Sequence, residues 1–119
     1  MSAPGRVLVL DDEPMILLDV ATALREAGFE AVTARAERKA LTLIEEDVPA
    51  AAVLDVNLGN GATCEAVAER LAALGVPFLL HSGDLDRQGE LIGRLDRPIV
   101  SKPTPGVRVA EAVRALLEG

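Results

Sequence analysis

Short apolar runs alternate along this chain with longer segments of helical period. Val7–Leu10 is a continuous aliphatic run, and such runs are typical of strands buried on both faces of a parallel sheet. The stretch from Pro14 to Gly28 instead spaces its apolar residues as one face of a helix does. This alternation predicts a βαβ protein.

The same pattern places the remaining elements. Strands are expected at Val7–Leu10, Phe29–Ala34, Ala51–Leu54, Pro77–Leu80 and Pro98–Val100. Helices are expected from Pro14 to Gly28 and at Glu37–Glu46, Thr63–Leu74, Leu85–Leu95 and Val107–Leu117. Gly59-Asn60-Gly61 is interpreted as a loop. We expect mobility in Leu85–Leu95, because Gly89 and Gly93 each cost a helix about 1 kcal/mol relative to Ala.

Length and composition limit the classes of protein to which this chain can belong. The length of 119 residues predicts one domain over residues 1–119. A formal charge of −7 and an aromatic content of 2% argue against nucleic-acid binding. No apolar run approaches the ~18 residues of a membrane span, so a cytoplasmic protein without membrane insertion is expected. The single cysteine, Cys64, cannot form an internal disulfide and is interpreted as a small apolar filler.

Chemistry appears where the strands end. Ligands of open parallel sheets bind outside the carboxyl ends of the strands. These ends carry the acidic pair Asp11 and Asp12, then Asp55, Ser82 and Lys102. Carboxylates gathered at one edge repel one another unless a cation joins them, and Mg²⁺ prefers oxygen ligands. The sequence therefore predicts a magnesium site with a hydroxyl and an amine beside it.

The segments Val7–Glu13 and Val53–Leu58, with Ser82-Gly83 and Lys102-Pro103, resemble the receiver domain of two-component response regulators. The resemblance covers essentially the whole chain. It implies a flavodoxin-like, doubly wound (βα)5 fold. Its sheet would have five parallel strands in the order 2-1-3-4-5, with helices on both faces.

The resemblance also implies roles for individual residues. Asp55 would accept a phosphoryl group from a phosphohistidine donor. Asp12 and the backbone carbonyl of Asn57 would bind Mg²⁺, and Asp11 would hold a metal-bound water. Lys102 would neutralise charge on the transferring group, and Ser82 would donate a hydrogen bond to it.

Several positions depart from the family pattern or tune it. Ile99 stands where many receivers have an aromatic switch residue, so signalling is expected to rely on Leu85–Leu95 instead. Gly59 replaces a common proline, which predicts a differently bent or more flexible loop. Asn57 and Asp84 are expected to influence dephosphorylation. The Lys102–Pro103 bond is expected to be cis, and the only histidine, His81, is interpreted as structural.

The expected partner is a histidine kinase or a histidine phosphotransfer protein, together with an unknown downstream protein. The chain is expected to be a standalone regulator and not an enzyme, apart from its own phosphorylation and dephosphorylation. Adaptor, phosphorelay shuttle and phosphate sink stay open, as does a weak dimer. Two rival interpretations are an interaction module that is never phosphorylated and a magnesium-dependent phosphohydrolase. Asn57 argues against the latter, which usually needs an aspartate there.

Overall fold

The computed structural model describes residues 5–83 and 89–118. Its strands are β1 (Arg6–Leu10), β2 (Glu30–Ala34), β3 (Ala51–Asp55), β4 (Asn57–Gly59), β5 (Ala62–Thr63), β6 (Phe78–Ser82) and β7 (Ile99–Ser101). Its helices are α1 (Pro14–Glu26), α2 (Glu37–Glu46), α3 (Glu65–Ala73), α4 (Gly89–Leu95) and α5 (Gly106–Glu118). Within the described residues, all ten expected strands and helices are represented, and the ends that can be compared are shifted by a few residues.

Five strands form one parallel sheet in the spatial order β2-β1-β3-β6-β7. Numbered within this sheet alone, the order is 2-1-3-4-5, which confirms the expected flavodoxin-like topology. The central strands β1, β3 and β6 are almost entirely buried, as their aliphatic sequences predict for a sheet covered on both faces.

The two faces of the sheet are covered by different helices. On one face, α1 and α5 pack against alternate strand residues such as Val9 and Val53. On the other face, α2, α3 and α4 pack against Leu10, Leu54 and Leu80. The sheet edge at the carboxyl ends of the strands is left free for polar side chains.

The interpretation of Gly59-Asn60-Gly61 as a plain loop was incomplete. Strands β4 and β5 form an antiparallel hairpin joined by Asn60 and Gly61, whose φ angles of 52° and 80° are both positive. Such angles define a two-residue turn that favours Asn-Gly. Because Thr63 pairs in this hairpin and its hydroxyl accepts the N–H of Glu65, α3 begins at Glu65 and not at Thr63.

Other expectations have mixed outcomes. The Lys102–Pro103 peptide bond is cis, as expected. Of the segment Leu85–Leu95, the structure describes Gly89–Leu95, which is α4, so its mobility stays a prediction. Among the described residues, each helix is too short or too polar to cross a membrane.

Candidate functional site

Four strand ends bring the expected site residues to one edge of the sheet. Asp11 follows β1, Asp55 ends β3, Ser82 ends β6 and Lys102 follows β7. Asp11, Asp55 and Ser82 are all buried. Ligand oxygens of Asp11, Asp12 and Asp55 lie within 4.8 Å of one another. The acidic cluster expected from the sequence is therefore present.

Lys102 lies among these carboxylates, with a side chain only 13% exposed. Its Nζ is 3.0 Å from Asp11 Oδ2 and 3.4 Å from Asp55 Oδ2. Burial disfavours the ammonium, but the hydrogen bond to Asp11 and the charge of Asp55 outweigh burial and raise the pKa of Lys102. The amine is therefore held in its charged form at the centre of the site.

Short backbone contacts orient two of the carboxylates. Asp11 Oδ1 accepts the N–H of Glu13 at 2.9 Å, and Asp55 Oδ1 accepts the N–H of Asn57 at 3.3 Å. Each aspartate thus uses one oxygen to bind the chain two residues further on. The other oxygen of each carboxylate faces Lys102.

The surroundings of Asp55 shift the pKa of its carboxyl group. Burial and the nearby charge of Asp11 raise its pKa from 3.8 to about 7, although Lys102 opposes the shift. Protonated Asp55 can also donate a hydrogen bond to Asp12, which favours the neutral form. One lysine therefore does not balance the negative charge, and another cation would favour ionised Asp55.

The donor set fits Mg²⁺. Two oxygens bound to one Mg²⁺ lie at most about 4.2 Å apart, so the cluster needs only small side-chain rotations to reach a common ion. Hard carboxylate oxygens suit this cation. A cation beside Asp55 would offset the burial and the Asp11 charge that raise the pKa of this carboxyl group.

A cleft of about 250 Å³ opens above the acidic cluster. It is large enough for several waters or a phosphoryl group. Its walls are Asp12, Glu13, Asp55, Asn57, Gly59, Gly83 and Lys102. Ser82 is the last residue of β6, and its carbonyl accepts the N–H of Lys102 at 2.9 Å. Asn57 is exposed and lines the cleft.

Gly59 brings the hairpin against Asp12. Its φ is +86°, and a Cβ atom at this position would lie 3.2 Å from Asp12 Oδ2. Proline cannot adopt this angle, since its ring restricts φ to about −65°. A proline at this position could not adopt the bend that Gly59 has here.

Two residues for which the sequence predicted no role, Glu13 and Asp19, lie close to Lys102 or line a cleft with it. Glu13 Oε1 is 3.4 Å from Lys102 Nζ, and its position in the acidic run Asp11–Glu13 was the available signal. Asp19 lines a neighbouring cleft of about 730 Å³ together with the buried His81. Burial lowers the pKa of His81, which suits a neutral side chain. No local motif in the sequence identifies Asp19.

Three positions named in the sequence analysis remain, which are Ile99, Asp84 and Cys64. Ile99 begins β7 and is 43% exposed, so an apolar side chain faces solvent where many receivers have a ring. Asp84 lies outside the described residues. Cys64 is fully buried, and burial with the charge of Asp55 raises the pKa of its thiol to about 12. This thiol is therefore unreactive, as expected of a filler residue.

Comparison with known proteins finds response regulators. The chain is 33% identical over 89 residues to the transcriptional regulatory protein PdtaR of Mycobacterium tuberculosis, which covers 71% of this chain and 43% of that protein. The chain thus spans less than half the length of this curated relative. No family model matches the chain.

Solved structures agree on the fold. NtrX from Brucella abortus superimposes with a TM-score of 0.83 at 26% identity, over 96% of this chain and 27% of that one. The chemotaxis protein CheY4 of Vibrio cholerae gives a TM-score of 0.80 at 21% identity, over 94% of this chain and 98% of that one. The resemblance of this chain to response-regulator receiver domains, expected from its motifs, is thereby confirmed.

Proposed function

We propose that this chain is a phospho-acceptor receiver of a two-component or phosphorelay system and that Asp55 takes up the phosphoryl group in a magnesium-dependent reaction. The observation that carries the proposal is the position of Asp55, which is 3% exposed, beside Lys102 and within the acidic cluster. The similarity to response regulators supports a role in two-component signalling.

In the proposed reaction, the ionised carboxylate of Asp55 attacks the phosphorus of a phosphohistidine donor. The P–N bond breaks as a P–O bond to Asp55 forms, and the departing imidazole nitrogen takes up a proton from solvent. Asp55 Oδ1 is held by the N–H of Asn57, so Oδ2 is the oxygen available for attack. Its contact with Lys102 keeps Oδ2 beside a positive charge.

Mg²⁺ would be held by Asp12, Asp55 and the backbone carbonyl of Asn57, with Asp11 binding through a water. Bound there, it supplies positive charge that offsets the carboxylates and the phosphoryl oxygens. Asp12 lies beside Gly59, where a Cβ atom would be 3.2 Å from Asp12 Oδ2, and both residues line the cleft.

Lys102 and Ser82 would bind the transferred group. The ammonium of Lys102 is already among the carboxylates and can also contact a phosphoryl oxygen. Ser82 adjoins it through the contact between its carbonyl and the Lys102 N–H. Both groups act by charge and hydrogen bonding, which supply most of the catalysis in phosphoryl transfer.

The donor in this proposal is a histidine kinase or a histidine phosphotransfer protein, and the output is a protein contact or onward phosphoryl transfer in the cytoplasm. Asp84 and Asn57 would tune the lifetime of the phosphoryl group. Ile99 leaves no ring to change orientation on activation, so the segment that includes α4 would transmit the change. Amide exchange with and without a phosphoryl mimic tests this route, and unchanged protection in α4 would contradict it.

Incubation with acetyl phosphate and Mg²⁺ tests the central claim. Intact-mass measurement should show one added phosphoryl group on the wild type and none on Asp55→Asn. Asp47→Asn is a matched control, since Asp47 is exposed and pairs with Arg6 on the opposite sheet edge. Omitting Mg²⁺ should abolish the gain. Absence of any gain in the wild type would favour a module that is never phosphorylated, and an undiminished gain in Asp55→Asn would exclude Asp55 as the acceptor.

A further inference from the structure

We propose that Asp19 is a positioning residue for Lys102, acting through Gly106 at the start of α5. The kinetic part of this inference rests on the proposed function, whereas its structural part does not. Asp19 and Lys102 line the same 730 Å³ cleft. Lys102 begins the loop that joins β7 to α5, and Gly106 directly follows this loop as the first residue of α5. A contact that holds Gly106 therefore also holds the far end of the lysine's loop.

The first observation is a hydrogen bond between two helices. The N–H of Gly106 donates to Asp19 Oδ2 at 2.9 Å, across 87 positions of the chain. The first N–H groups of a helix have no partner within it and are usually capped by a residue just before them. Here the cap of α5 comes from α1, and its negative charge also interacts favourably with the helix dipole.

The second observation is direct backbone contact at the same point. A Cβ atom on Gly106 would lie 2.5 Å from the backbone oxygen of Asp19 and 2.8 Å from its Oδ1. Gly106 is buried. Only glycine fits between the two helices, so steric contact and the hydrogen bond together restrict the start of α5 to one place on α1.

The third observation is that the intervening loop is stiff and tied at both ends. It contains Pro103 and Pro105, whose rings restrict φ to about −65°. The N–H of Lys102 donates to Ser82 at 2.9 Å, and the N–H of Arg108 donates to the carbonyl of Pro105 at 2.9 Å. The hydroxyl of Thr104 donates to the carbonyl of Ser101. A displacement of Gly106 is therefore passed along the loop to Lys102.

A displacement of Lys102 should affect phosphoryl transfer because its ammonium contacts the carboxylates at short distances. Its Nζ lies 3.0 to 3.4 Å from Asp11 and Asp55. A shift of about 1 Å at a reacting group can cost about 100-fold in rate. Release of Gly106 should therefore slow phosphoryl transfer to Asp55 even when the chain stays folded.

The test compares Asp19→Ala, Asp19→Asn and Gly106→Ala in the full chain. Lys39 and Lys102 are its two lysines, so ¹H–¹³C spectra of lysine-labelled protein show the ε-methylene of Lys102 beside an exposed internal reference. We expect the Lys102 signal to move in Asp19→Ala and Gly106→Ala while the Lys39 signal stays. With acetyl phosphate and Mg²⁺ saturating, Asp19→Ala should slow mass gain about tenfold.

Three variants separate positioning from stability. Asp19→Asn keeps an acceptor oxygen for the Gly106 N–H and should restore most of the rate. Glu26→Ala removes an exposed carboxylate from the same helix. Gly93→Ala adds a Cβ to a helical glycine that has no atom within 4 Å of that position. The last two should leave both the Lys102 signal and the rate unchanged.

An unmoved Lys102 signal in folded Asp19→Ala would overturn the inference, even if the variant melts at a lower temperature. A moved signal with a wild-type rate would overturn its kinetic part. If Gly106→Ala does not fold, the two Asp19 variants still decide. If wild-type protein gains no phosphoryl group, the proposed function fails, and the Lys102 signal alone decides whether Asp19 positions the lysine.

Discussion

Replacement of Asp55 by asparagine should stabilise the metal-free protein, and the gain should grow with pH. The reason is that burial and Asp11 raise the pKa of Asp55 from 3.8 to about 7 in the folded chain. A carboxyl group with a raised folded pKa binds its proton more tightly in the folded than in the unfolded state. Its contribution to stability is complete below pH 3.8 and is lost as pH rises towards 7.

The size of the effect follows from the shift. About three pKa units at about 1.36 kcal/mol each give an upper limit of about 4 kcal/mol, so we expect a gain of about 2–4 kcal/mol near pH 8. The side chain introduced by Asp55→Asn is neutral at every pH, while its oxygen can still accept the Asn57 N–H and its amide can donate to Asp12. The gain should therefore shrink towards zero near pH 4.

Urea unfolding measures this directly. Because the chain has no Trp or Tyr, far-UV circular dichroism is the suitable probe. Wild type, Asp55→Asn and the control Asp47→Asn are compared with a chelator at about pH 5 and about pH 8. The exposed Asp47 pairs with the partly buried Arg6, so its variant should lose about 1 kcal/mol.

Added Mg²⁺ provides a second arm of the same experiment. It should stabilise the wild type by binding ionised Asp55 and should narrow the gap to Asp55→Asn. The reasoning would be refuted if Asp55→Asn were no more stable than wild type near pH 8 without metal. It would equally be refuted if the gain were the same near pH 5.

Three further predictions concern the same cleft. Lys102→Met should slow phosphoryl uptake from acetyl phosphate about 100-fold, and uptake within twofold of wild type would contradict this. Mg²⁺ binding measured by calorimetry should not weaken, because the substitution removes a positive charge that competes with the metal ion. Gly59→Ala should lower Mg²⁺ affinity more than Gly61→Ala, since both glycines have positive φ but only a Cβ at position 59 would meet Asp12; equal affinities would show that the contact is unimportant. Mg²⁺ affinity should rise with pH up to about 7, because Asp55 binds the metal ion as an ionised carboxylate. Calorimetry at several pH values checks this, and an affinity that does not change with pH would exclude Asp55 as a ligand.

The fold and the acidic cluster could be predicted because each leaves a local signal. Continuous aliphatic runs such as Val7–Leu10 identify strands buried on both faces. Once the strand ends are known, parallel pairing brings Asp55 and Lys102 to one edge without further information. The hairpin at Asn60-Gly61 also had a local signal, since Asn-Gly is a preferred two-residue turn. It was missed because the strands on either side have only three and two residues.

Other features of the site could not be predicted because they depend on distances between remote segments. The raised pKa of Asp55 requires its burial and its separation from Asp11. The contact between Asp19 and Gly106 joins positions 87 residues apart, and neither residue lies in a motif. A sequence pattern shows which groups reach an edge of the sheet, but the charge balance there depends on separations of a few ångströms.

Gly59 and Gly106 use one physical solution at two places around Lys102. At each position the missing Cβ allows backbone to approach an aspartate, which is Asp12 for Gly59 and Asp19 for Gly106. Asp12 is an expected metal ligand, and in our proposal the contact of Asp19 with Gly106 ties down the loop that carries the lysine. A methyl group at either position would meet an aspartate oxygen. We therefore expect the geometry around Asp55 to depend on these two glycines, although they carry no reactive group.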